Sequence, residues 1–147
     1  MSLSERLNED MKQSMRNQDK FKLSVIRMVR SAIKNVEIDM KRTLDDNEVL
    51  DILSREVKQR KDSLQEFQKA GREDLVDNLK QEIDIITAYL PQQLTEEEIN
   101  VIVQQTIQET GASSKAEIGK VMAALMPKVK GRADGKLVNQ AVQKLLS

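Results

Sequence analysis

The sequence predicts an all-α protein with a four-helix N-terminal domain followed by a small three-helix C-terminal bundle. Apolar residues recur every three or four positions along almost the whole chain, which is the period of an α-helix. No segment alternates strictly between apolar and polar residues over the length of a strand. Capping pairs, in which Ser or Thr is followed three residues later by Glu, mark helix starts at Ser2 and Thr95.

The first four helices follow from their apolar stripes and their end signals. Thr43 or Asp45 can cap the third helix, Gly71 suits the left-handed residue that follows it, and Pro91 ends the fourth. The stripes are Leu3, Leu7, Met11 and Met15; Val25, Ile26, Val29, Ile33, Val36 and Met40; Val49, Ile52, Leu53, Val57, Leu64 and Phe67; and Leu75, Leu79, Ile83, Ile86 and Leu90.

A domain boundary is predicted at the uncharged segment 91–94. The segment contains one of the two prolines, and a new helix start follows it directly. In that start Thr95 and Glu98 form a capping box, and Leu94 can pack on Ile99 as a hydrophobic staple. We therefore predict an N-terminal domain of residues 1–91 and a C-terminal domain of residues 92–147.

Three shorter helices are predicted in the C-terminal domain. Gly111 fits the end of the fifth helix, Ser114 with Glu117 caps the sixth, and Asp134 caps the seventh. Their stripes are Ile99, Ile102, Val103 and Ile107; Ile118, Val121, Met122 and Leu125; and Val138, Ala141, Val142 and Leu145. A unit of about 50 residues buries only a marginal core, so we expect this bundle to lean on the first domain or on a partner.

The composition indicates a protein that works inside the cell. The 147 residues include 24 basic and 24 acidic side chains and no cysteine, histidine or tryptophan. No segment approaches the roughly 20 apolar residues of a membrane span, and the N-terminus lacks a signal-peptide pattern. We therefore expect a cytoplasmic protein that does not enter a membrane. Because the formal charge is zero, nucleic-acid binding would have to come from local charge asymmetry.

Catalytic chemistry is poorly represented in this sequence. Without histidine and cysteine there is no imidazole base, no thiol nucleophile and no nitrogen or sulfur ligand set for zinc. We expect no catalytic residue, no metal and no cofactor. The acidic clusters lie at predicted helix starts, where the helix dipole favours them, with a magnesium site as the alternative. These clusters are Asp45, Asp46 and Glu48, and Glu96, Glu97 and Glu98.

The predicted second helix carries a basic ridge, formed by Lys20, Arg27, Lys34 and Lys41 at seven-residue spacing with Arg30 beside them. At about 100° per residue these side chains share one arc, away from the apolar stripe. The ridge is either a surface that tracks phosphates or a solvated face balanced by acids from neighbouring helices. We favour the second interpretation, because charged helix faces are common on protein surfaces.

A second basic cluster, the tail segment of residues 115–136, contains six basic residues against Glu117 and Asp134. If residues 127–132 are extended, Lys128, Lys130 and Arg132 point to one side while Val129 faces the core. A helix start follows at Gly135, whose backbone N–H groups are anion donors for which the Asp134 carboxylate competes. We predict a phosphate-binding segment that also includes Lys120 and Lys136; the alternative is a loop kept soluble by lysine.

Gly119 stands inside a predicted helix, where glycine costs about 1 kcal/mol relative to alanine. Two arrangements would compensate for that cost. One is the close approach of another helix, which we favour, and the other is the approach of a nucleic-acid backbone.

Several short motifs are spread over both predicted domains: Arg60 with Ser63, Ala70-Gly71-Arg72-Glu73-Asp74-Leu75, Tyr89-Leu90-Pro91 with Gln93-Leu94, Glu98-Ile99, Gly119-Lys120-Val121-Met122 and Gly131-Arg132-Ala133-Asp134-Gly135. Together these motifs resemble the YqeY family and the related tail domain of GatB, the tRNA-binding subunit of the glutamine-dependent amidotransferase that corrects misacylated tRNA. The resemblance implies a four-helix domain and a three-helix tail of the kind that contacts tRNA. The chain is too short to contain the GatB catalytic cradle. Asn78-Leu79 departs from the pattern without touching a functional position.

Three functions are compatible with the sequence. The first is a tRNA-binding or tRNA-associated module that contacts phosphates and RNA shape, because two Phe and one Tyr are too few for extensive base stacking. The second is an adaptor for a synthetase or an amidotransferase, and the third, ranked last, is participation in glutamine-dependent amide-nitrogen transfer. The predicted nucleic-acid-binding residues are Lys120, Lys128, Lys130, Arg132, Lys136, Arg27, Arg30 and Lys34.

Overall fold

Seven α-helices and one short 3-10 turn are present in the computed structural model, which describes residues 1–146. The helices are α1 Leu3–Arg16, α2 Lys20–Met40, α3 Asp46–Lys69, α4 Glu73–Thr87, α5 Glu96–Thr110, α6 Ile118–Val129 and α7 Gly135–Leu145, with the 3-10 turn at Lys115–Glu117. No strand occurs within the described residues. The predicted all-α fold class is confirmed.

The chain divides after Leu90 into two compact units. The N-terminal unit contains α1 to α4, and the C-terminal unit contains α5 to α7. Each unit has its own apolar core. The domain limits at residues 1–91 and 92–147 stay a prediction.

The core of the N-terminal unit is built from the apolar stripes of its helices. Its buried residues are Leu7, Val25, Ile26, Val29, Ile33, Leu44, Val49, Ile52, Leu53, Val57, Ile86 and Tyr89. Two stripe residues at helix ends are exposed to solvent: Met15 is 51% exposed and Met40 is 48% exposed. The exposure of Met15 leaves an apolar surface beside α2.

Tyr89 connects the end of α4 to α1. Its ring is buried, its hydroxyl donates a hydrogen bond to the Asp10 carboxylate, and the Arg6 guanidinium lies 4.6 Å above the ring centre. Arg6 also donates to the carbonyl of Ala88 at 3.1 Å. Burial, together with the bond to Asp10, raises the pKa of the Tyr89 hydroxyl. The residue therefore acts as a packing anchor.

The C-terminal unit is a three-helix bundle in which α5 packs against both α6 and α7. Its core contains predicted stripe residues from all three helices together with two residues outside the stripes, and the remaining stripe residues are partly buried against it. The buried residues are Ile99, Val103, Val121, Leu125, Val129, Val138, Ala141, Val142 and Leu146. A narrow apolar face on each helix is thus sufficient to specify the bundle.

Most of the predicted helix ends are confirmed. Ser2 with Glu5, Asp45 with Glu48, and Thr95 with Glu98 form complete capping boxes. Asp134 accepts a hydrogen bond from the Lys136 N–H at the start of α7. Gly71 and Gly111 follow α3 and α5 with φ angles of 70° and 69°, which glycine adopts without steric cost.

The start of α6 differs from the predicted cap. Ser114 makes no side-chain capping bond, because the chain first forms the 3-10 turn at Lys115–Glu117. The Glu117 carboxylate reaches back instead and accepts a hydrogen bond from the Ser113 N–H at 3.0 Å. As a result, no side chain caps the first turn of α6.

Candidate nucleic-acid interface

The tail segment does not run extended between residues 127 and 132. Helix α6 continues through Pro127 to Val129, and only residues 130–132 form a turn. The continuation is possible because Pro127 lies in the last turn, where its missing N–H removes a single helical bond, and because Val129 is buried in the core. The predicted row of Lys128, Lys130 and Arg132 along an extended strand is therefore wrong.

Lys128 is held within the molecule. Its ammonium group lies 2.7 Å from the Glu109 carboxylate and 3.0 Å from the hydroxyl of Thr106, and both partners belong to α5. The Thr106 hydroxyl in turn donates to the Ile102 carbonyl at 2.8 Å. Lys128 thus links α6 to α5, and much of its charge is offset before any ligand arrives.

Arg132 belongs to a turn that holds the start of the C-terminal unit. Its carbonyl accepts the Leu94 N–H at 2.8 Å, and its Nε donates to the Gln92 carbonyl at 3.4 Å. The Gln93 side chain donates to the Gly131 carbonyl at 2.8 Å. Gln93 did not stand out in the sequence as a structural residue, because its partner lies 38 positions away.

The charge of Arg132 also acts on Glu98. The backbone and hydroxyl of Thr95 hold the pKa of the Glu98 carboxyl below its usual range, and the nearby Arg132 guanidinium lowers this pKa further. Arg132 is therefore surrounded by carbonyl and carboxylate oxygens of its own unit. The structure gives it a packing role in addition to any role in binding.

Two of the predicted binding residues of the C-terminal unit differ from Lys128, because their side chains are exposed and no hydrogen bond or ion pair joins them to a residue from 1 to 146. Lys120 lies in the first turn of α6, and Lys136 lies in the first turn of α7. Only the backbone N–H of Lys136 is engaged, by Asp134 at 2.9 Å. Lys130 follows directly after α6 and is also exposed.

Gly119, next to Lys120, is exposed on the surface of α6. A Cβ atom added at this position would meet no atom within 4 Å. The favoured explanation, close approach of another helix, is therefore wrong for the part of the chain that the structure describes. The cost of a helical glycine has no compensating contact there.

The basic ridge of the N-terminal unit is shorter than its spacing implies. Lys20 begins α2, whereas Lys41 lies beyond the helix with a φ angle of 56°. Arg30 is partly buried and donates to the sulfur of Met11 at 2.8 Å. Arg27 and Lys34 are exposed, and neither makes an ion pair with any residue from 1 to 146. The favoured interpretation of the ridge, a face balanced by acids from neighbouring helices, is therefore not reflected in ion pairs at Arg27 and Lys34.

The acidic clusters occupy the first turns of α3 and α5, as expected from the helix dipole. In the first of these, Arg42 binds Glu48 through two contacts of 2.7 and 2.6 Å and, with the Asp45 N–H, lowers the pKa of Glu48 to about 2. Among residues 1–146, no group of three or more acidic side chains is arranged to hold a metal ion.

None of the helices in this range is long and apolar enough to cross a bilayer.

Fold and surface together define a small all-α protein of two helical units, with cations exposed on α2, α6 and α7. The chain belongs to the YqeY-like family, because the family model described as "Yqey-like protein" matches residues 4–146. The expected family is thus confirmed over nearly the whole chain.

Relatives with the printed name "Altered inheritance of mitochondria protein 41, mitochondrial" are similar to this chain. The protein of Pyrenophora tritici-repentis is 31% identical over 144 residues, which cover 96% of this chain and 79% of the relative. That of Lachancea thermotolerans is 39% identical over 111 residues, 74% of this chain and 59% of the relative. That of Saccharomyces cerevisiae is 38% identical over 96 residues, 65% of this chain and 52% of the relative.

The expectation of a cytoplasmic protein is wrong on this comparison, because these relatives are named as mitochondrial proteins. The sequence features behind that expectation were the lack of cysteine and the lack of a long apolar segment. Both features are equally compatible with the interior of an organelle, so they do not distinguish the two locations.

Proposed function

We propose that this protein is a small helical module that binds tRNA through its phosphates, with Gly119, Lys120 and Lys136 of the C-terminal unit in contact with the RNA. The proposal rests mainly on the exposed Gly119 near the start of α6, which lies beside an exposed lysine without a partner in residues 1–146. A helical surface without a Cβ lets a phosphate approach the backbone closely.

The local electrostatics of α6 support this proposal. The 3-10 turn of residues 115–117 runs directly into α6, and the Ile118 N–H already donates to the Lys115 carbonyl. The support therefore comes from side-chain charge rather than from a free helix start. Lys120 adds a full positive charge in the first turn of α6, and Lys136 supplies a second at the start of α7. Lys128 and Arg132 contribute less to the proposed surface, because their polar groups already have partners in the unit.

The choice of tRNA rests on the resemblance of residues 119–122 and 131–135 to the tail domain of GatB. Phosphate contact is the proposed mode because the few aromatic side chains are not exposed. Tyr89 is buried, and Phe21 and Phe67 are partly buried. Base stacking would need exposed rings, whereas exposed lysines suit a phosphate backbone.

The double variant Lys120→Glu/Lys136→Glu is expected to bind tRNA about tenfold more weakly than the native protein. The slope of log affinity against log salt is expected to decrease by about one for each phosphate contact that is lost. Fluorescence anisotropy with labelled tRNA, at salt concentrations between about 50 and 200 mM, measures both quantities. Lys58→Glu/Lys61→Glu on α3 is the matched control, with the same change in net charge.

Two outcomes of this titration would count against the proposal. One is the absence of tRNA binding by the native protein at the lowest salt concentration. The other is an equal loss of affinity in the α3 control, which would mean that only the net charge matters.

Gly119→Ala tests directly whether the exposed glycine contacts the RNA. Because the new methyl group meets no atom within 4 Å, the variant is expected to be more stable by a few tenths to about 1 kcal/mol. Its affinity for tRNA is expected to fall, since the methyl group separates the phosphate from the backbone. Urea denaturation and the same anisotropy titration give the two values. A variant that is more stable and binds tRNA as well as the native protein would contradict the role of Gly119.

A further inference from the structure

An open groove of about 850 Å³ runs along α1 and α2 in the N-terminal unit. Its apolar lining residues, called the floor below, are Met11 and Met15 together with Leu7 and Ile33, which are almost fully buried. Its basic residues are Arg27, Arg30 and Lys34, which all belong to α2. An apolar floor beside a row of cations is not explained by the proposed RNA contacts of the C-terminal unit.

The floor of the groove presents methionine to solvent. Met15 continues the apolar stripe of α1 but is 51% exposed, and Met11 beside it is partly buried. Methionine is flexible and polarisable, and it is common on surfaces that receive helices of different sequence. The groove therefore offers an adaptable apolar strip rather than a closed cavity.

Two of the three cations of the groove are available for a partner. Arg27 and Lys34 are seven residues apart on α2, which places them about 10 Å apart along the helix axis. Neither is paired with a residue between 1 and 146, and both are exposed. Arg30 lies between them and is held by the Met11 sulfur.

The one acidic side chain along the described walls of the groove is already engaged. The Glu37 carboxylate accepts the Leu44 N–H at 3.0 Å and so anchors the chain after α2. The groove therefore carries a net positive charge. Its electrostatic complement is an acidic surface.

We propose that this groove docks an acidic amphipathic helix of a partner protein. The apolar face of that helix would lie on the methionine floor, and its carboxylates, two turns apart, would pair with Arg27 and Lys34. A nucleic acid would satisfy the cations but would leave the apolar floor without a complement. In this proposal Arg27, Arg30 and Lys34, which the sequence predicts to bind nucleic acid, contact an acidic helix of a partner protein instead.

The test uses the full chain and a synthetic probe. The probe is a peptide of about 18 residues with leucines at helical spacing and glutamates on both flanks, and its counterpart has lysine in place of every glutamate. The acidic peptide is expected to bind at least about tenfold more tightly than the basic one. Amide shifts measured by NMR should be confined to α1 and α2.

Two surface variants locate the contact. Arg27→Glu/Lys34→Glu is expected to weaken binding of the acidic peptide about tenfold, and Met15→Gln is expected to weaken it severalfold. Lys58→Glu/Lys61→Glu is the charge-matched control on α3 and should bind the peptide nearly as well as the native protein. All of these side chains are exposed, and circular dichroism verifies that each variant is folded.

Three results would overturn the docking proposal: equal binding of the two peptides, equal loss in the α3 control, or an unchanged affinity after Met15→Gln. If Arg27→Glu/Lys34→Glu reduces affinity for tRNA but not for the acidic peptide, the groove is a phosphate surface instead. Because the test uses residues of the N-terminal unit, its failure leaves the tRNA proposal for Gly119, Lys120 and Lys136 unaffected.

Discussion

Replacing Leu125 with alanine is expected to cost the C-terminal unit about 2–5 kcal/mol of its free energy of unfolding. Leu125 lies on α6, and its side chain is completely buried. It is packed in the core between α5 and α7, where Val103 and Val142 are also fully buried. Alanine would leave a cavity and lose the apolar contacts of the removed carbon atoms.

The expected loss is large relative to the total free energy of unfolding of this unit. A core built by fewer than about 70 residues rarely supplies more than 3–5 kcal/mol, so Leu125→Ala is expected to unfold much of α5 to α7 at room temperature. Urea denaturation, monitored through NMR signals of the C-terminal unit, measures the loss of unfolding free energy. Met126→Ala is the matched control, because Met126 is the next residue on α6 and is 42% exposed. Equal destabilisation by both variants would show that the assigned core is wrong.

Replacing Arg60 with methionine is expected to destabilise the N-terminal unit by roughly 3 kcal/mol. The Arg60 side chain is 13% exposed and lies between Glu56 on α3 and Glu82 on α4, each 18% exposed. Its Nη1 is 3.5 Å from the Glu56 carboxylate and donates to the Glu56 carbonyl at 3.1 Å, and its Nε is 3.9 Å from the Glu82 carboxylate. Methionine would leave the two mostly buried carboxylates without their shared counter-charge.

A neutral triple variant separates charge from packing at this site. Arg60→Met/Glu56→Gln/Glu82→Gln removes the unpaired carboxylates and is expected to recover most of the stability that Arg60→Met loses. Arg55→Met is the control on the same helix, since Arg55 is exposed and its replacement should cost well under 1 kcal/mol. Thermal and urea denaturation of the four proteins provide the comparison. If the triple variant is no more stable than Arg60→Met, the electrostatic explanation fails.

The helices of this protein could be derived from the sequence because their signals are local. Apolar spacing within one helix placed α1 to α7, and capping pairs such as Thr95 with Glu98 placed their starts. Glycine at positions 71 and 111 marked the left-handed residues after α3 and α5. Each of these signals acts over one or two helical turns, so no knowledge of distant contacts is needed.

The conformation of the tail segment could not be predicted from local signals of this kind. Proline usually ends a helix, so the sequence alone is compatible with an extended segment over residues 127–132. The burial of Val129 against the other helices of its unit extends α6 past Pro127 instead. Ser114 failed as a cap for a related reason, because the 3-10 turn of residues 115–117 changes the geometry at the start of α6.

By itself the sequence determined the all-α class, most of the helix starts, the apolar stripes and the family, since these depend on spacing along the chain. Only the tertiary structure decided which basic residues are available to a ligand. Lys128 is bound by Glu109 and Thr106, which lie 19 and 22 positions away, whereas Lys120 and Gly119 face solvent. The pairing of a charge depends on side chains that folding brings from other helices, and spacing within one helix carries no information about them.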